Sequence, residues 1–402
     1  MLRVPVARIE PGMVLARPVP YPHDPHRYLL QRDVEIPSSL IPRLQQMGVC
    51  EVWIRYRELE FLEDLIDEEL EDRRREVYHH VRRNFEEVMA GAAFDMEIAS
   101  FQASISGLFS CLKESHTGTV LLQKLDAYDN YLMAHSTNVC YLALLLGMKL
   151  ERYLIEERTF KSPREAKDLQ VLGMGMLLHD VGKMRIPEEV LNKPGKLTAG
   201  EMELVRQHPS LGYEMVRGRI PPTAAQIVLN HHQRWDGKGY PARLDWNTGE
   251  PLPAFQGKQI PIFCRIATVV DVYDAATTRR CYSPAKPPIQ VLHEMQTICQ
   301  GFFDPVVEKA FYEIIPPFPI AQMVKLSSAA EAVVVDFNPR CPTRPKVQMI
   351  RSPEGERLSD PSLHEIDLAI YPELQIVEVD GHDVRPFQTN LDSELAGRFA
   401  SA

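Results

Sequence analysis

The sequence predicts a multi-domain chain in which an all-α helical domain is flanked by a small N-terminal α+β module and a C-terminal β-rich appendage. Three observations carry this reading. With 402 residues and 45% hydrophobic content, the chain is long enough to bury more than one core. Between Met96 and Pro316, apolar-periodic stretches of helical length follow one another, broken by proline and glycine. On either side the pattern changes to short β-type runs.

Residues 1–58 form the first module. Strand-like pieces such as Met13–Ala16 and Glu51–Arg55 surround one helical patch, Ser38 to Met47. Residues 59–97, charged and rich in helix formers (LEDLIDEELEDRRREVYHHVRRNFEEVM), predict a solvated connecting helix, with His79-His80 in solvent. Residues 98–318 hold the helical domain. Residues 319–402 return to β runs, Ala332–Val335, Lys346–Ile350 and Leu374–Val379, separated by loops such as FNPRCPTRP.

Bulk properties narrow the function classes. A formal charge of -10 and a pI near 5.8 exclude a polymer-wide grip on nucleic acid, yet leave room for a small anion held by local cations. The longest apolar run, Val139 to Met148, is too short to span a bilayer, and MLRVPVARIEPG lacks a signal-peptide core. A cytoplasmic protein without membrane insertion is expected. Seven scattered cysteines with no CxxC pair read as reduced thiols.

Chemistry concentrates in the helical domain. The dipeptide His179-Asp180 means nothing alone, because His23-Asp24 and His382-Asp383 repeat it. Its context differs: the apolar run VLGMGMLL delivers His179 and Asp180 and stops at Gly182, and a buried carboxylate calls for a cation. His135 lies on a helix apolar on most faces, where a core histidine is the simpler reading. His208 precedes Pro209, where a capping role competes evenly with a ligand role. His231 and His232 are adjacent and cannot share a helix face, so both can ligate only where the helix frays or where metals lie on two sides. In DGKGYP two glycines and a proline force a tight turn. Asp271 and Asp274, one helical turn apart in an apolar helix, face the same side and need a cation. Imidazoles and carboxylates suit Fe, Mn or Zn.

The ordered series HDVGK, IPEEVLNKPGKLT, HPSLGYEMV, HHQRWDGKGYP and RIATVVDVYDAATTRRCY resembles the HD-GYP family of cyclic-di-GMP phosphodiesterases, a branch of the HD metal-dependent phosphohydrolases. The likeness extends upstream to DNYLMAHSTNV. It implies a bacterial signalling enzyme of HD-type helical fold that linearises the cyclic dinucleotide to pGpG, and on to GMP, through a hydroxide activated by two divalent metals, Fe or Mn with Zn also suited. On this resemblance His135, His179, Asp180 and Asp271 hold one metal, and Asp180, His208, His231 and His232 the second. Asp180 and Lys183 are then catalytic. Lys183 and Arg280 contact phosphate, and Tyr240 shapes the guanine-binding mouth. The partner implied is a small-molecule cyclic dinucleotide, with a homodimer or a signalling partner left open.

This chain departs from the family pattern in places. Gln233 stands where the family has glutamate, which reads as a missing supporting carboxylate and lower activity. Tyr131 replaces the glutamate of members with a third metal, and Ser283 replaces a basic residue. The segment after GYP, within ARLDWNTGEPLPAFQGK, is longer than usual and is expected to cover part of the site. The alternatives are an HD phosphohydrolase for another nucleotide and a catalytically weak cyclic-di-GMP receptor.

Overall fold

The protein is described from a computed structural model, which covers residues 1–402 apart from 22–23, 48, 50, 66, 90–97, 115–130, 246–247, 279–284, 339, 359–363 and 389–402. His23 therefore lies outside the described residues, as do Arg280 and Ser283.

The N-terminal module contains β1 (Leu2–Pro5), β2 (Val19–Tyr21), β3 (Asp24–Leu30), α1 (Ile41–Gln46) and β4 (Glu51–Ile54). β1 pairs antiparallel with β4, Leu2 opposite Ile54, and β2 pairs with β3. Met13–Ala16, expected as a strand, forms only isolated bridges, Val14 to Glu35 and Leu15 to Ile54. Bracketed by Gly12 and Pro18, it is too short to extend a ladder.

The charged segment corrects the sequence reading. Its helix, α2 (Glu68–Met89), packs against α3 (Ile98–Glu114) and α4 (Tyr131–Lys149) instead of lying in solvent. Leu70, Val77, Tyr78, Val81 and Phe85 are all buried. Their spacing is an apolar stripe of helical period inside a highly charged segment, and burying each large side chain contributes about 1.5–3 kcal/mol. His79 and His80, expected in solvent, are half-buried, and His80 pairs with the Ser104 hydroxyl.

The helical domain continues through α5 (Glu151–Glu157), α6 (Pro163–Ala166), α7 (Gln170–Leu178), α8 (Glu188–Leu191), α9 (Ala199–Val205), α10 (His208–Val216), α11 (Pro222–Asn230), α12 (Ile262–Thr277), α13 (Pro288–Thr297) and α14 (Pro305–Ile314). The centre is α7, buried from Leu172 to Leu178 and packed against α3, α4 and α11. A helix apolar on every face can only be interior, so whatever follows its last residue starts inside the core. Arg265 on α12 is also buried. It is held by Asp304, by Glu157 and by the Ile260 carbonyl oxygen at 2.9 Å.

Beyond α14 a six-stranded antiparallel sheet contains β5 (Met323–Leu326), β6 (Glu331–Asp336), β7 (Lys346–Arg351), β8 (Glu365–Asp367), β9 (Ile376–Val379) and β10 (His382–Asp383), in the order β10-β9-β5-β6-β7-β8. It meets the N-terminal module. Arg351 lies 3.5 Å from Glu10 and 3.3 Å from Glu331, Arg8 lies 3.5 Å from Glu378, and the Arg357 guanidinium sits 4.5 Å over the Tyr56 ring. Among the described residues no helix is long and apolar enough to cross a membrane.

Candidate metal centre

Three helix ends and two helix faces converge on Asp180. α7 ends at Leu178 and places His179 and Asp180, both fully buried, at its exit. The following 3-10 turn, Val181–Arg185, packs on α10, and this contact requires glycine. A Cβ on Gly182 would lie 1.9 Å from the His208 carbonyl oxygen and 2.5 Å from Gly212 N. The two backbones touch there, which brings His208 Nε2 to 3.2 Å from Asp180 Oδ1. α11 ends at Asn230, so His231 and His232 leave the helix, and their rings lie 4.2 Å apart. α4 supplies His135 from its buried face, and α12 supplies Asp271 and Asp274.

The ring nitrogens are oriented by what they donate to. His179 Nδ1 meets Met176 O at 2.7 Å, His208 Nδ1 meets Val205 O at 2.7 Å, and His231 Nδ1 meets Val228 O at 2.9 Å. A carbonyl oxygen only accepts, so each Nδ1 carries a proton and each Nε2, in the neutral ring that a metal requires, presents a lone pair inward. His135 follows the same plan with a carboxylate, its Nδ1 2.7 Å from Asp274 Oδ2. The consequence is a conflict. His208 Nε2 and His231 Nε2 face each other at 3.1 Å, His135 Nε2 faces Asp271 Oδ1 at 3.0 Å, and His179 Nε2 and Asp180 Oδ1 are buried with no hydrogen-bond partner. Lone pairs aimed at one another in a dry site need a cation between them. The donor set therefore fits a metal. Three groups, His208/His231/His232, His135/His179/Asp180 and His179/His231/Asp271, have ligand atoms within 4.8 Å of one another.

Charge shows the same demand for a cation, which a proton on His179 meets where no metal is bound. Burial disfavours protonation of His179, but Asp180 and Asp271 outweigh it and push the imidazole up to about 10. Burial and the neighbouring imidazoles hold His231 well below its usual value, while burial brings His232 down to about 3 despite the attraction of Asp271. Asp180 and Asp271 stay far below the usual carboxylate range: against the cost of burial, Lys183 and His179 hold down the first, His135 and His179 the second. Two ionised acids thus sit among histidines whose preferences diverge.

The remaining predicted residues that the structure describes border this cluster. Lys183 Nζ lies 2.6 Å from Asp180 Oδ2 and is partly exposed. His232 Nδ1 is 3.6 Å from Asp271 Oδ2, and its ring stacks on Tyr240 with centroids 4.5 Å apart. Sequence reasoning missed Thr268, whose hydroxyl lies 2.9 Å from His231 O and 3.0 Å from Gln233 O, holding α12 to the histidine pair. It also missed Asp274 as the partner of His135. The spacing Asp271-x-x-Asp274 contained that signal.

Comparison with known proteins shows what the chain is similar to. Residues 150–307 match the HD domain family, and residues 323–383 match the KOW domain associated with the HD domain. The chain is 34% identical over 235 residues to a cyclic di-GMP phosphodiesterase of Pseudomonas aeruginosa, covering 58% of this chain and 50% of that one. It is 41% identical over 122 residues to the cyclic di-GMP phosphodiesterase response regulator RpfG of Xanthomonas campestris, 30% of this chain and 29% of that one. The helical domain is similar to the HD domain family and to these cyclic di-GMP phosphodiesterases. A 3'3'-cGAMP-specific phosphodiesterase of Vibrio cholerae is 36% identical over 139 residues, 34% of this chain and 24% of that one. These matches span half or less of each relative's length. The match to the HD domain family begins at residue 150, so His135 on α4 enters the cluster from outside the matched segment.

Proposed function

We propose that this chain is a metal-dependent phosphodiesterase that hydrolyses cyclic-di-GMP to pGpG, with onward cleavage to GMP. One observation carries the reading: the inward-facing Nε2 atoms of His135, His179, His208 and His231, fixed by their Nδ1 bonds around Asp180. His135, His179, Asp180 and Asp271 would hold one divalent ion, and Asp180, His208, His231 and His232 the other. When bound, the ions, Fe or Mn with Zn also suited to these donors, supply Lewis acidity and a water of lowered pKa.

The chain's own groups do the rest. Asp180 turns Oδ1 toward His208 and Oδ2 toward His135 and His179, the arrangement a bridging carboxylate needs. Lys183 keeps Asp180 ionised and would present its remaining N–H donors to a phosphate oxygen at the rim. Tyr240 walls one side beside His232. Arg280 is proposed as the clamp on the second phosphate. The unit carrying the activity is 98–318 with α2 packed on it, acting on a small cyclic dinucleotide in the cytoplasm.

The test is turnover by anaerobically purified protein loaded with Fe(II) or Mn(II), offered labelled cyclic-di-GMP and 3'3'-cGAMP separately. Linear product from cyclic-di-GMP supports the proposal. Turnover of 3'3'-cGAMP alone reassigns the substrate, and tight binding without product makes the chain a receptor.

A further inference from the structure

The side chain that follows the histidine pair is almost fully buried. Gln233 Nε2 donates to Pro241 O at 2.8 Å, across the whole DGKGYP turn. Two other contacts fold the same turn back on the histidines. Tyr240 N–H donates to His232 O at 3.2 Å, and Gly239 lies so close that an added Cβ would sit 2.5 Å from Gln233 Cα, Arg234 N and His232 O. From the opposite side Thr268 Oγ1 holds His231 O and Gln233 O. Gln233 is thus clamped through its backbone to α12 and reaches through its side chain to the far end of the turn.

A carbonyl oxygen and an ionised carboxylate are both acceptors only, so glutamate cannot make the Pro241 contact that the amide makes. We infer that Gln233 is a positioning residue, a latch whose amide N–H pins Pro241, holds the Tyr240 ring on His232, and so aims His232 at Asp271. The amide here replaces the expected carboxylate as a working part rather than as a loss. Only the kinetic arm of this inference rests on the phosphodiesterase reading.

Two variants and two readouts test it. In Gln233→Glu and Gln233→Ala, amide hydrogen exchange over residues 234–242 is expected to accelerate about tenfold, while residues 262–277 of α12 keep wild-type protection. With labelled cyclic-di-GMP, Gln233→Glu should raise KM about tenfold and leave kcat within about threefold of wild type. Wild-type protection of 234–242 in both variants overturns the latch. So does a glutamate variant with higher kcat/KM than wild type, the outcome expected of a restored carboxylate. If the wild-type protein turns over no cyclic dinucleotide, the functional reading falls and the exchange measurement alone decides this one.

Discussion

Asp274 Oδ2 accepts a hydrogen bond from His135 Nδ1 at 2.7 Å, and this bond turns the other ring nitrogen toward Asp271 and Asp180. Asp274 therefore sets which face of His135 is a ligand face. Removing it in Asp274→Ala is expected to weaken metal affinity about 10- to 100-fold with the fold intact, measured by competition against a chelator of known affinity. Unchanged affinity would mean the ring is oriented by packing alone.

The repeated His-Asp dipeptide supplies an internal control. His179→Ala and Asp180→Ala should each abolish metal binding and turnover, because both residues are buried among ligand groups. His382→Ala should change neither, since His382 is exposed on β10. Equal effects at His179 and His382, read by metal content and product formation, would remove the basis for the site.

Opposed lone pairs on His208 and His231 make the cluster less stable without a cation. Added Mn(II) at a hundredfold excess over its Kd should stabilise the protein by about 2.7 kcal/mol, seen as a rise in Tm that a chelator reverses. The rise should shrink in His208→Ala. A Tm indifferent to metal and chelator alike argues against the centre.

Backbone contact between Gly182 and α10 leaves no space for a methyl group. Gly182→Ala is expected to cost about 3 kcal/mol in urea denaturation and to lower metal affinity as well, because His208 must move off Asp180. Loss of stability with undiminished metal affinity would separate the packing role from the positioning role.

Away from the site, Glu157 pairs with Arg265 and Lys258. Burial alone would raise its pKa, but hydrogen bonds from Lys258 and Arg265 outweigh this and hold the carboxyl below its usual value. A depressed folded-state pKa stabilises the fold above the unfolded value of about 4.3 and is lost as pH falls through the folded value. Glu157→Gln should therefore flatten the acid limb of a stability–pH curve below about pH 4.3 and reduce stability at neutral pH.

What the sequence made legible was chemistry with fixed spacing. The histidines and acids announced themselves through apolar helices that end in polar pairs, and the structure brings them within reach of one another. Two kinds of information were hidden. The stripe Leu70, Val77, Tyr78, Val81, Phe85 was masked by the charges around it, so α2 read as solvated although its buried face is regular. Contacts between segments far apart in the chain, such as Gly182 on α10 and Thr268 on the histidine pair, leave no local pattern at all, because the residue types involved are common in any turn or helix. Gln233 belongs to the same class. Only the carbonyl of Pro241 shows why an amide rather than an acid serves there.

The seam in which Arg351 reaches both Glu10 and Glu331, with Arg357 over Tyr56, turns the chain back on its own beginning. The small leading module and the trailing sheet thus pack against each other and are not cassettes to be swapped singly. Deleting residues 323–383 would strip partners from Arg8, Glu10 and Tyr56 at once, so a trimmed chain would differ at its front end as well as its back.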